Sequence, residues 1–554
     1  MNNMKRRFLL ASVCVFMGTL TYAQNDTVTN RVVIVENEYN PTIMDASKLN
    51  VLPQIEEPSV PKSVIDYATV VRPTDKWEYQ EMPAVVRDWA KRKPHGGYIY
   101  GAYGNRENVD AGAGLIWDIN PKNRFEVSAS LKGWNGNVCG VDGLDWKSRF
   151  YQSDFELEYR HRFGKVDLLV GGSLGSQVFN YMPDVMERVV SDKQHHSVGN
   201  VHAGFASTDK DMSLRFQAEV GFNVFDRKYD PFFSEFTTYE LTLMGKGKEK
   251  NPYAKGEVSL PFKESNRLAV AFDLNHYSYS GFPSMENATS VELNPYYSME
   301  GETWRLHLGA HIDPWKGFDS KLNFSPDVKM EYLFSDSYII YARANGGREN
   351  RSLREIAALT PYWYLKGSEY LPTYVSLDAA AGFKASPADG LWLHLAGGYQ
   401  IRENDLCVNL MSKSAYMFAG LDRAKTKAAY GSAEAKYDYK DIFSLSVGAA
   451  YYSWSADGEE ENYLLALKPE LEVNLYAEGK VAGGLRVGAG YDYVKRCSKT
   501  YHDVSNLYAK ASYALRDGLE LFAKGRNLLG SEYCDANAYP VQGLNVLVGA
   551  AFRF

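Results

Sequence analysis

Beyond its N-terminal stretch the sequence has no long uncharged apolar run, which excludes a membrane helix needing roughly 18 or more such residues. Cysteine is scarce, 5 in 554 residues, and no paired-Cys spacing of a metal site occurs. A Gly-x-Ser-x-Gly elbow and a phosphate-cradling P-loop are both missing, so the common nucleophile and nucleotide sites are excluded. Histidine is sparse and scattered. The densest set is His195, His196 and His202; on a strand the last two would share a face but stand roughly 20 Å apart at about 3.3 Å per residue. A surplus of positive charge is also lacking, the balance being -7. No enzyme activity, cofactor, metal or nucleic-acid partner is expected on these grounds.

What the chain does have is aromatic: 40 Tyr, 26 Phe and 10 Trp. At the N-terminus Lys5, Arg6 and Arg7 precede the apolar run FLLASVCVFMGTL and then Thr-Tyr-Ala. A basic head, a short apolar stretch and small residues describe a signal peptide over residues 1–23, cut between Ala23 and Gln24. Residues 24–96 are punctuated by Pro41, Pro53, Pro58, Pro61, Pro73, Pro83 and Pro94, too often for regular elements. They read as an extended periplasmic segment.

From residue 97 to 554 the pattern changes to period-two alternation, the mark of strands with one apolar and one polar face. Met212, Leu214, Phe216, Ala218, Val220, Phe222 and Val224 oppose Ser213, Arg215, Gln217, Glu219, Gly221 and Asn223. Trp304, Leu306, Leu308, Ala310 and Ile312 oppose Arg305, His307, Gly309, His311 and Asp313. The faces persist longer than the roughly five or six residues of a globular strand, long enough to cross a bilayer at a tilt.

Short turns are expected at Asn120-Pro-Lys-Asn, Gly164-Lys165, Thr208-Asp-Lys-Asp, Lys263-Glu-Ser-Asn, Gly301-Glu302, Ser335-Asp-Ser, Ala388-Asp-Gly, Lys440-Asp441, Glu478-Gly-Lys and Arg516-Asp-Gly. Longer loops alternate with them, as in an outer-membrane barrel. The count is about 22 antiparallel strands within a range of 16–24, provided that the strand-like stretches Glu235–Met244 and Cys407–Gly420 belong to loops. The fold class is therefore an all-β transmembrane antiparallel barrel with short periplasmic turns and long extracellular loops. Its outward faces meet lipid. The last segment, GLNVLVGAAFRF, ends on Phe552 and Phe554, which resembles the signal that barrel-assembly machinery reads.

LFAKGRNLLGSEY followed by AYPVQGLNVLVGAAFRF resembles the final hairpin of TonB-dependent receptors, through Asn527, Leu528, Tyr533, Tyr539, Pro540, Gly543 and Phe554. NRSLREIAALTPYWYLKGSEYLPTY is similar to a receptor strand entry, with Asn350, Leu353, Pro361, Tyr362 and Pro372 in place. The resemblance implies an outer-membrane location and capture or passage of a solute. The family's full plug domain has no counterpart in residues 24–96, and the segment VVIVENEYNPTIMDASKLNVLPQIEEP looks like the start of plug-less receptor-like barrels of the Bacteroidetes type. Val32-Val33-Ile34-Val35 reads as a TonB box or as an ordinary short strand, so coupling to TonB stays open.

Several side chains stand out as candidate sites. Arg215, Glu219, Arg305, His307, His311, Glu472, Glu520, Lys524 and Arg526 face the lumen, where they either pair across the wall or line a polar path. Tyr362, Trp363, Tyr364 and Tyr370 in an outer loop either stack on a ligand or join an interfacial aromatic belt. Cys497 and Cys534 occupy adjacent outer loops and form a bridge or remain thiols. Two functions remain: binding or passing a solute across the outer membrane, and a scaffold barrel that docks a periplasmic or envelope partner through residues 24–96.

Overall fold

The computed structural model describes residues 96–139, 145–183, 193–209, 212–229, 246–262, 265–282, 285–317, 320–335, 337–350, 352–365, 372–413, 416–440, 442–458 and 460–554. Residues 1–95, which include the cleavage site at Ala23 and Gln24, lie outside the described residues, as do Tyr370 and the stretch Glu235–Met244.

Strands from Gly97–Gly104 to Asn545–Arg553 pair antiparallel, each with its neighbour in the chain, and the last closes on the first. Setting aside two short strands, Met182–Pro183 and Trp363–Leu365, that lie off the wall, the barrel has 22 strands, as the alternation predicts. Closure leaves no unpaired edge, the condition for strands to sit in hydrocarbon. At the seam the backbone N–H and C=O of Phe554 and Gly97 bond reciprocally, both at 3.0 Å. The apolar stripes point outward. Leu174, Val201, Val220, Phe324, Leu395 and Val548 are among a belt of large side chains exposed on the outer face, the arrangement of a lipid-facing barrel wall. Such a barrel sits in the outer membrane.

The inner face is built differently. Tyrosine rings lie flat on glycines of the adjacent strand: Tyr341 on Gly382, Tyr253 on Gly221, Tyr508 on Gly490. A Cβ at Gly382 would lie 2.5 Å from Cζ of Tyr341, so glycine is what lets the ring fold against the wall.

Turns fall at nine of the ten expected places, with the strand after Thr208 starting at Arg215 rather than Met212. The tenth is displaced: Glu478-Gly-Lys lies inside the strand Pro469–Ala482, and the chain reverses at Gly483 and Gly484, both with positive φ. At Gly390 the turn also needs glycine, since φ is +76 and a Cβ would run into the carbonyl oxygen of Asp438.

Cys407–Gly420 adds no strand to the count, but neither is it irregular. It is the far end of the two longest strands, Leu391–Lys413 and Tyr416–Tyr439. At about 3.3 Å per residue these strands rise well past a bilayer. Their register breaks between Arg402 and Asp405, where Asn404 has φ +51, and the hairpin tip beyond the break is buried.

Candidate functional site

Two features stand out: the inner wall of the barrel and a lid over its loop-side mouth.

The wall charges pair along the wall, strand to strand. His307 Nε2 lies 2.8 Å from an Asp327 oxygen that also accepts from Asn294. His311 bonds Glu292 at 2.8 Å and Asn345 at 3.2 Å. Glu219 accepts from Tyr253 at 2.8 Å and pairs with Lys255 at 3.2 Å. Arg305 pairs with Glu300 at 2.7 Å and reaches Glu331 at 3.9 Å. Lys524 reaches Asp110 at 3.4 Å, and Glu520 pairs with Arg553 at 3.4 Å. Asp378 accepts from both Arg343 and Tyr430. The register puts Arg215, Glu472 and Arg526 on the same inward face, opposite Ser259, Ala450 and Asn545. Exposure along the wall varies: Lys255 and Arg343 stay exposed, whereas Glu331, Glu520 and His311 are buried. His195, His196 and His202 do not converge: His195 bonds Ser176, His202 bonds Asn200, and His196 belongs to the lid contacts below.

The lid was not visible in the sequence. Its core gathers Trp146, Phe179, Tyr181 and Phe225 from the tops of wall strands and the loop after them, Leu353 and Ile356 from the helix Leu353–Leu359, and Tyr362, Trp363 and Tyr364 beside it. Leu406, Phe418 and Leu421 come from the hairpin tip, and Tyr501 and Tyr539 from the last two loops. The helix begins with a capping box, Ser352 accepting from the Glu355 N–H while Glu355 accepts from that of Ser352. Glu249 of the wall accepts from the Leu353 N–H at 2.7 Å, a carboxylate at a helix N-terminus. Trp363–Leu365 pairs parallel with Ala419–Leu421, and Met182–Pro183 pairs with Tyr416 and Met417. The bent hairpin is thus the platform on which the other loops assemble. Asp405 pins the bend, bonding Lys468 at 2.6 Å, Thr426 at 2.8 Å and Arg402 at 3.3 Å.

Within this lid Tyr362, Trp363 and Tyr364 are buried against protein, with Trp363 at 0% exposure. Tyr362 stacks on Tyr539 at 3.7 Å with the planes 7° apart, and burial pushes both phenols above their ordinary pKa. In this arrangement their rings face one another and the lid core; a ligand would meet them only if the lid opened. Cys497 and Cys534 are both free thiols in their loops, and Arg496, beside the first, donates to the backbone carbonyl of the second at 3.2 Å. Sequence reasoning missed Arg227, Glu249 and Asp405. Parity alone could have placed the first two on the inner face; Trp363 and Leu353, the lid residues they meet, lie more than a hundred residues away and leave no local signal.

No protein-family profile and no curated protein sequence matches the chain. Solved structures do match in fold. The FrpB iron transporter of Neisseria meningitidis aligns with a TM-score of 0.64 at 12% identity, over 83% of this chain and 82% of that one. A ferric enterobactin receptor, PfeA of Pseudomonas aeruginosa, aligns at 0.64 and 13%, over 83% and 81%. The copper transporter OprC aligns at 0.61 and 12%, over 83% and 81%. In its barrel the chain is similar to TonB-dependent receptors of the outer membrane, as its final hairpin suggests.

Proposed function

We propose that this barrel captures a polar solute at the outer membrane and passes it through its lumen. The observation that carries this reading is the inner wall: ionic side chains satisfied along the wall and left part-exposed, which lowers the cost of a polar object passing them. A salt-bridged interior meant only to fill the barrel would bury Lys255, Arg343 and Lys510 along with their carboxylate partners. The metals and siderophores handled by the similar structures belong to those proteins; for this chain the wall argues for a hydrogen-bonding solute that tolerates both signs of charge.

The closed mouth favours a second reading, a scaffold barrel that recruits an envelope partner through residues 24–96. The two readings part in planar bilayers and in liposome-swelling assays. Solute passage requires conductance or swelling from the purified barrel, at least once the loops over the mouth are removed. A barrel that stays silent after their removal is a scaffold, and deletion of residues 24–95 should then abolish co-purification of an envelope protein while leaving the barrel assembled.

A further inference from the structure

We propose that the mouth is a gate that rests closed, and that Arg227 is its latch. This rests on the reading of the lumen as a solute path.

Arg227 is the last residue of the wall strand Arg215–Arg227, on the inward face. Its guanidinium carbon sits 3.9 Å from the ring centroid of Trp363 in the lid. One terminal nitrogen, Nη2, donates to the Tyr181 hydroxyl at 3.1 Å and to the Trp363 carbonyl at 3.4 Å. Nε donates to His196 Nε2 at 3.3 Å, which requires that nitrogen of His196 to be unprotonated. Arg227 is 1% exposed and Trp363 0%, so this cation–π contact is fully desolvated, the setting in which such contacts are strongest. Phe225 and His196 of the wall also face the indole at 6.5 and 6.3 Å, with Phe282 from a neighbouring loop at 6.3 Å.

Trp363 has a second allegiance. Its backbone belongs to the parallel pair with the hairpin tip at Ala419. One residue therefore joins the wall on one side to the platform of the lid on the other. Other polar ties run from the helix segment to the wall: Glu249 to the Leu353 N–H, Arg354 to Asn223 at 2.8 Å, and Ser290 to Asn350 at 3.1 Å. The rest of the attachment is apolar, with Trp146, Phe179 and Phe225 at the tops of wall strands packed into the lid's cluster. The ladder break at Arg402/Asp405, with Asn404 in the left-handed region, supplies a bend that can absorb a movement of the lid without disturbing wall pairing below it. A gate of this kind is closed without ligand and must be driven open; losing the latch shifts the population toward open.

Single-channel recording in planar bilayers tests this with three proteins: the full chain, Arg227→Gln, and a variant in which residues 350–372 are replaced by a short Gly-Ser link. Heat-modifiable gel mobility confirms that each barrel is assembled, and Trp363→Leu is the second latch variant in case Arg227→Gln does not assemble. The full chain should be closed almost throughout, and the loop replacement persistently open. The latch variant should raise the open fraction at least about tenfold, the order expected from losing a desolvated cation–π contact. If the loop replacement conducts while both latch variants stay as closed as the full chain, the latch is overturned and the solute path stands. If the loop replacement is itself silent, the solute path is overturned and the gate with it.

Discussion

Gly382 and Tyr341 show how single residues shape the lumen. With no Cβ on Gly382, the Tyr341 ring lies on the neighbouring strand and its hydroxyl meets His394 Nε2 at 2.7 Å. Gly382→Ala inserts a methyl where the ring rests, so the ring must leave the wall and give up that bond. Overpacking of this kind costs about 1–3 kcal/mol. A lowered urea midpoint for the micelle-solubilised barrel would register it, while Gly397→Ala, whose Cβ has only a carbonyl oxygen at 3.7 Å, should change little. Cys497 and Cys534 give a second residue-scale expectation. Burial pushes the Cys497 thiol up to about 11 and the Cys534 thiol up to about 12. Only the thiolate is nucleophilic, so both should resist alkylation near neutral pH and gain reactivity as pH rises toward those values. Intact-mass analysis after iodoacetamide at pH 7 and pH 10 checks the sign; rapid labelling at pH 7 contradicts the burial of Cys534 or the half-burial of Cys497, and a mass two hydrogens short before reduction would mean a bridge.

At the scale of elements, strands and turns were legible because lipid and lumen impose opposite demands on alternate residues, and the reversals need Gly, Asn or Asp. The legibility failed where those demands lapse. Glu478-Gly-Lys looks like a turn, but Glu478 faces the lumen and binds Arg486 and Lys510, so a polar run there marks wall. Cys407–Gly420 loses its alternation where the strand enters the lid: Leu406, Cys407 and Val408 are successive buried residues. The candidate site divides the same way. Lumen charges follow from parity; the lid aromatics and Arg227 depend on loops meeting across the mouth, which no local pattern encodes. The bend of the long hairpin is pinned by Asp405, a carboxylate 2% exposed with three partners. Asp405→Ala leaves Lys468 and Arg402 without it in a buried setting, a loss on the order of 3–5 kcal/mol felt mainly in the tip. Hydrogen exchange should quicken in residues 405–413 and 416–424 and stay slow in 391–401. Uniform acceleration of the whole hairpin would mean that Asp405 supports the wall and not the bend.

For the whole molecule, everything depends on which solvent lies against the outer face. Val548, on the closing strand, is 62% exposed and stands opposite Ala523 and Tyr103 in the two flanking strands. Beside it in sequence, Leu547 turns to the other face. If hydrocarbon covers Val548, Val548→Arg costs about 2–4 kcal/mol near the bilayer midplane, against nearly nothing for an arginine in water. The same strand carries the seam through Phe554 and Gly97, so the penalty falls on the step that closes the barrel. The expected outcome is a lower yield of folded, heat-modifiable barrel from urea into phospholipid vesicles, with Val548→Leu as efficient as the parent chain. Thickening the bilayer should make the arginine variant worse, because the side chain has further to reach for the headgroups. An arginine at 548 that folds as well as leucine in every vesicle would place water, not lipid, on that face, and the outward stripes would then need a protein partner to cover them.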